Sequence, residues 1–325
     1  MNSWPRSCTL KLLLLLGLAV LAAVLSLCIG PVNVSLFAQD SLSRYIIGYV
    51  RLPRTCACLL AGMALAVSGA VIQSVLANPL AAPNIIGVNS GAGMLVALVC
   101  AVAPQAPFLT PVAAFLGALA GVLLVLFLAQ RTGAAKITVV LAGVAVSSIF
   151  GAGIDAVVTF FPDALNGYSD FRIGGFANLT MAKLNSAGFI ILAGVLCALL
   201  TAGELDILAL GTDTAQSLGL NVKRWRLVLL GVAAALAGAA VSFSGLLGFV
   251  GLIVPHMARR LVGENSRPLL AACALGGAAM LTLCDLLGRT LFAPYEVPVG
   301  IVLSLAGGPF FLWLLLRQRG GRTHD

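Results

Sequence analysis

The sequence predicts an all-α polytopic membrane protein of about ten transmembrane helices, and three observations carry that prediction. Hydrophobic residues make up 60% of the 325 and charged residues 9%, where soluble domains carry about a quarter charged. The mean hydropathy is +1.08. Apolar runs of the roughly 20 residues that a spanning helix needs recur about ten times. On ten spans with the N-terminus inside, the 19 Lys and Arg fall unevenly. Only Arg44, Arg51, Arg54, Arg172, Lys183 and Arg289 lie outside, as the positive-inside rule requires. The net charge of +8 therefore follows from topology and calls for no nucleic acid. Both termini are expected in the cytoplasm, and the whole chain, 1–325, in a single transmembrane domain.

Arg6 and Lys11 precede the first apolar run, 12–29. That run exceeds the ~7–15 residues of a signal-peptide core, and Leu27 is bulky where cleavage wants a small residue, so a retained helix is expected. Residues 30–54 read as a polar loop ending in Arg51-Leu52-Pro53-Arg54. Helix two, 55–76, carries Ala61, Gly62, Ala64, Ala66, Ser68 and Gly69, which let helices approach closely in lipid. The next stretch, NPLAAPNIIGVNSGAG (78–93), is rich in helix breakers. At membrane depth such backbone is tolerated where protein or a watery cavity satisfies it. A transport pathway and a buried turn both meet that condition.

Helix three runs to about 103 and helix four from 110 to 130. A basic loop, 131–136, leads to helix five, 137–160, which contains Asp155. Residues 161–183 are mixed and aromatic, with FRIGGFANL as a short, incomplete element, and helix six ends near 202. Helices seven, nine and ten cover 227–247, 269–287 and 299–316. Between seven and nine, 248–261 is too short to cross, contains Pro255, and reads as a half-length helix ending at Arg259-Arg260.

The longest polar insertion, 204–226, is itself patterned. Leu205, Leu208, Ala209, Ala215, Leu218 and Leu220 recur at roughly helical spacing, broken at Gly211 and Gly219, with Asp206, Asp213, Gln216 and Lys223 elsewhere. A short amphipathic element at a membrane surface has this form, and so does a surface on which a partner docks; taken alone, the segment equally reads as a solvated linker with accidental periodicity. There is also an internal echo. LAGMALAVSG (60–69) and LAGAAVSFSG (236–245) share L-A-G-x-A-x-x-x-S-G on helices of opposite direction, which suggests an inverted repeat.

Nothing assembles a catalytic site or calls for a cofactor or bound metal. The eight cysteines lie mainly inside apolar runs as small hydrophobes. His256 has no metal-ligand neighbour in sequence, and no GxxxxGK[ST] loop is present, which puts nucleotide hydrolysis on another polypeptide. Asp155 and Asp285 are the acids expected at membrane depth. Arg289, four residues after Asp285, offers that carboxylate an i,i+4 partner. An ion-coupled secondary transporter would explain the repeat and Asp155, yet it would not explain a shaped insertion. A partner ATPase would.

Two blocks carry a specific resemblance. RLPR, LAGMALAVSGAVIQ and NPLAAPNIIGVNSGAG form the first; SGLLGFVGLIVPHMARRLVG, RPLL, Asp285, YEVPVGI and GGPFF form the second. Together they resemble the FecCD family, permease subunits of ABC importers for iron-siderophores, haem and cobalamin. The resemblance implies a type II ABC importer permease fold in the cytoplasmic membrane. The partners it implies are two ABC ATPase subunits, a second permease copy (a homodimer or a related chain) and a periplasmic or lipid-anchored binding protein. By position, Leu205, Leu208, Leu210, Gly211, Asp213, Ala215, Gln216, Leu218 and Gly219 match the coupling helices that seat in the ATPase. Arg51, Arg54 and Arg289 match arginines that pair with acidic residues of the binding protein; anchoring of helix ends in headgroups is the other reading of the same residues. Asn78, Pro79 and Leu80 match a segment at the cytoplasmic gate. Thr212, Glu264-Asn265-Ser266 and Cys284 depart from the residues common at those positions.

Overall fold

The structure is a computed structural model that describes residues 6–31, 41–131, 136–177 and 179–319, and among these every regular element is helical. The interior of the 131–136 loop and the tail with Arg322 and His324 lie outside the described residues. In order come α1 (Arg6–Cys28), α2 (Ser41–Tyr45), α3 (Leu52–Leu76), α4 (Val88–Val102), α5 (Thr110–Arg131), α6 (Lys136–Phe160), α7 (Ala164–Ile173) and α8 (Met181–Leu200). Then follow α9 (Ala202–Ala209), α10 (Thr212–Ser217), α11 (Val222–Ser244), α12 (Val250–Val262), α13 (Ser266–Thr290) and α14 (Val299–Arg319). Seven segments are long and apolar enough to cross a membrane: Ser7–Cys28, Ser41–Leu76, Pro107–Ala129, Thr138–Phe160, Met181–Leu200, Val222–Ser244 and Ser266–Thr290. With the shorter α4 and α12, and with α14, each of the ten expected helices has a counterpart.

One expectation is corrected. Of the loop read at 30–54, the described residues from Ser41 onward are helical, and α2 passes through a π-helical turn, Ile46–Arg51, straight into α3. Polar composition alone misled there, because the helix extends beyond its apolar stretch.

Small residues explain the packing. In lipid no hydrophobic drive pulls helices together, so close backbone approach and dispersion must do it. Every residue from Ala64 to Gln73 is buried, which makes α3 the central rod. A Cβ placed on Gly62 would overlap the Gly277 carbonyl of α13, and one on Gly69 the Gly251 carbonyl of α12. Gly91 of α4 and Gly117 of α5 abut in the same way.

Hydrogen bonds fix the helix directions. Lys11 Nζ donates to the Leu261 carbonyl at 2.6 Å, and the Asp206 carboxylate accepts from the Ser266 N–H, so the start of α1, the end of α12, α9 and the start of α13 share one end of the bundle. Arg259 of α12 reaches Gln73 and Ser74, which puts the end of α3 there too. At the opposite end Arg51, just before α3, donates to the Leu27 and Cys28 carbonyls that close α1. The α11 helix begins beside α10, tied by Arg226 to Thr212, and therefore runs antiparallel to α3. The two copies of the repeated motif thus lie on contacting, oppositely directed helices, and Ser68 of the first donates to the Ala233 carbonyl of α11 at 2.7 Å.

Candidate functional site: the two ends of the bundle

At one end the 204–226 insertion forms a shelf of two short helices. Gly211 and Gly219 hold φ +106° and +83°, values that suit glycine, and they reset the helical phase on either side of α10. As a result the apolar positions divide. Leu205, Leu208 and Ala215 are buried (at 0%, 4% and 0% exposure), whereas Leu210 and Leu218 stand 61% and 60% exposed. Asp213, Gln216 and Gly219 are exposed beside them. The shelf is pinned from beneath: Arg226 donates to Thr212 Oγ1 at 2.9 Å, and Asn221 caps α11 by accepting from the Arg224 N–H. An ordered surface with two protruding leucines results. Single-period reading of the sequence could not separate the inward residues from the outward ones.

Next to the shelf, α3 ends in a strained turn. Ala77 sits at φ +47°, in the left-handed region that a residue with a Cβ seldom adopts. The Asn78 N–H bonds to the Gln73 carbonyl, and Asn78 Oδ1 accepts from the Leu80 N–H at 2.9 Å. Pro79 is exposed; Asn78 and Leu80 are half-buried. The prolines and the strained residue thus stop α3 where it meets α12.

The opposite end is built on buried charge. Arg54 grips Asp285 bidentately, Nε to Oδ2 at 2.9 Å and Nη2 to Oδ1 at 3.0 Å, while its Nη1 reaches Glu296 at 2.8 Å. Arg289 lies 3.8 Å from Asp285 and donates to the Ser26 carbonyl and, at 2.8 Å, to Ser26 Oγ; that hydroxyl meets Thr55 Oγ1 at 2.8 Å. Arg51 donates to the Leu27 and Cys28 carbonyls, both at 2.8 Å. Arginines suit this place because the last carbonyls of α1 lack intrahelical partners and carry the negative end of the helix dipole. The i,i+4 pair is present, but the main partner of Asp285 is Arg54, 231 residues away, which no local reading finds.

The three arginines thus have partners within the chain itself. Arg51 and Arg289 are each 3% exposed and Asp285 is 1% exposed, so these guanidinium groups clamp α1, α3 and α13 together. What faces outward is Glu296, 40% exposed at its side chain. It flanks a cleft of about 270 Å³ lined by Arg54, Asp170, Gly174, Phe176 and Pro298.

Among the described residues no group of three or more His, Cys, Asp or Glu could hold a metal ion. His256 lies edge-on to Phe310, with ring centroids 6.3 Å apart.

The model of the FecCD transport family matches residues 14–317. The chain is 36% identical over 316 residues to the Fe(3+)-citrate import system permease protein YfmE of Bacillus subtilis, covering 94% of each. It is 41% identical over 282 residues to the hemin transport system permease protein HmuU of Yersinia pestis, covering 84% of each. With the vitamin B12 import system permease protein BtuC of Vibrio cholerae it shares 35% over 321 residues, covering 97% of this chain and 95% of that one. A solved structure of a metal-chelate type ABC transporter in an inward-facing conformation superposes with a TM-score of 0.87 at 30% identity, covering 94% of this chain and 98% of the other.

Proposed function

Because the chain belongs to the FecCD transport family, we propose that it is the membrane permease of an ATP-driven importer that carries a metal chelate across the cytoplasmic membrane. The observation that carries this reading is the shelf: α9 and α10 are tied from below and present Leu210, Asp213, Gln216 and Leu218 outward, in a sequence without a phosphate-binding loop of its own. Such a surface suits the groove of an ABC ATPase, two copies of which would serve a permease dimer. The exposed apolar side chains along α6, among them Leu141, Val144 and Ile149, suit contact with the second copy.

A binding protein docks, in this reading, on the rim at the far end. The Arg51, Arg54 and Arg289 clamp keeps that rim in register, and Glu296 and the neighbouring cleft meet the partner. Residues 78–80 form the gate at the shelf end, and the sequence's excess of Lys and Arg on that side supports reading it as the cytoplasmic one. The cargo is first a ferric siderophore; haem and cobalamin follow, since relatives serve ferric citrate, haemin and vitamin B12.

Purification of the tagged chain from its native membranes tests the reading. An ABC ATPase subunit recovered in equal proportion to the permease supports it. A chain recovered alone, still folded, contradicts it.

A further inference from the structure

The turn between α12 and α13, residues 263–265, sits between the two segments that an importer must couple. From one side α9 reaches it. Asp206 Oδ1 accepts from the Ser266 N–H at 2.8 Å, so a carboxylate on the shelf caps the 25-residue α13. Asn265 holds the N-cap position yet makes no side-chain cap bond; a residue 60 positions before Ser266 does the capping. A carboxylate at a helix N-terminus gains from both the charge-assisted hydrogen bond and the dipole.

From the other side the turn leads back to Arg259, near the end of α12. Its Nε donates to Glu264 Oε2 at 3.1 Å within the turn, its Nη1 to Gln73 Oε1, and its Nη2 to Ser74 Oγ at 3.3 Å. Gln73 is 2% exposed and its amide donates to the Gly251 carbonyl at 3.2 Å. The Gln73 backbone carbonyl in turn accepts from the Asn78 N–H at 3.0 Å, at the first residue of the gate.

The contacts therefore form an unbroken chain from shelf to gate: Asp206 to Ser266, across the short turn, Arg259 to Gln73, and Gln73 to Asn78. Each contact resists being stretched. Leu205 and Leu208 bury α9 in the bundle, where it packs on α3 and α13, so Asp206 moves with the shelf as a body. The planar fork of Arg259 holds three acceptors on two elements, and releasing it would leave the buried Gln73 Oε1 without this donor.

We propose that Asp206 and Arg259 are positioning residues through which a displacement of the shelf moves the 78–80 segment. This rests on reading the shelf as the ATPase dock and 78–80 as the gate. An energetic link of this kind is established by perturbing one end and reading the other.

The experiment uses the assembled permease–ATPase complex in lipid nanodiscs with a Leu80→Cys reporter, labelled by a water-soluble maleimide with and without vanadate-trapped nucleotide. The same complex with Leu80 intact supplies the background. With native Asp206 and Arg259, trapping is expected to change the labelling rate of the reporter thiol about tenfold, within the ordinary range of coupling energies. Asp206→Ala is expected to keep the ATPase bound and hydrolysing, while the change falls below about twofold. Asp206→Asn keeps the accepting oxygen and should restore most of the response, which a general loosening of the fold would not do. Arg259→Gln should mimic Asp206→Ala.

If both Asp206→Ala and Arg259→Gln preserve the full nucleotide-dependent change, the connection is refuted although the gate assignment stands. If the reporter in the otherwise native chain shows no change on trapping, the gate assignment and the connection both fall.

Discussion

Arg54→Ala separates a clamp from a docking site more sharply than any other change at the rim. Arg54 supplies both close contacts to Asp285, a carboxylate 1% exposed. Without it, the nearest cation is the Arg289 guanidinium at 3.8 Å, which is already committed to Ser26. Removing one partner of a buried ion pair costs about 3–5 kcal/mol, mostly because the other charge stays buried and unpaired. Asp285→Asn should cost somewhat less, since Arg54 keeps Glu296, Arg289 keeps Ser26 and the amide oxygen still accepts. Glu296→Gln touches the same arginine from a far more exposed position and should cost no more than about 1 kcal/mol. Thermal unfolding of the detergent-purified complex reads these differences directly. Arg54→Ala and Asp285→Asn should lower Tm by several degrees and reduce the yield of folded chain, with Glu296→Gln close to the native protein. Replacing the pair together with apolar residues of similar volume should recover much of the loss, because no charge is then stranded. The reasoning is refuted if Arg54→Ala and Arg289→Ala melt like the native chain while binding-protein stimulation of the ATPase disappears. The arginines would then be surface ligands after all.

Further outcomes follow from the packing. Gly62→Ala should cost about 1–3 kcal/mol by forcing α3 off the Gly277 carbonyl, whereas Gly151→Ala, with nothing within 4 Å of the new methyl, should be neutral or stabilising by at most about 1 kcal/mol; thermal unfolding compares the two. Leu210→Arg and Leu218→Arg should release the ATPase from purified complexes without lowering the permease's own Tm, because both side chains are exposed. Ala215→Arg should instead destabilise the permease itself, its side chain being fully buried, and pull-down against Tm distinguishes the two effects.

Much of this molecule was legible before any coordinates. Helix number and order follow from apolar run length, and the small-residue stripe from Ala61 to Gly69 marks the central rod because only small residues let α3, α12 and α13 come so close. The shelf was legible as a patterned insertion. Its outward face was not, because Gly211 and Gly219 restart the helical phase and leave Ala215 inward while Leu210 and Leu218 point out. The rim was legible as a set of arginines, yet their partners were not. Arg54 and Asp285 stand far apart in the chain, and sequence spacing suggests only the weaker Arg289 contact. The Asp206 cap on Ser266 escaped for the same reason: a cap is looked for within a few residues of the helix it serves. At 41–54, polar composition concealed a helix that continues unbroken into α3.

ATP-dependent uptake in proteoliposomes tests the central claim most directly. The purified permease–ATPase complex, with its binding protein loaded with a radiolabelled ferric siderophore on the outside, is given ATP in the lumen or an ion gradient alone. Accumulation of label that requires lumenal ATP and the binding protein is the expected result. Accumulation driven by the ion gradient with no ATP present would contradict it and make this chain a secondary transporter.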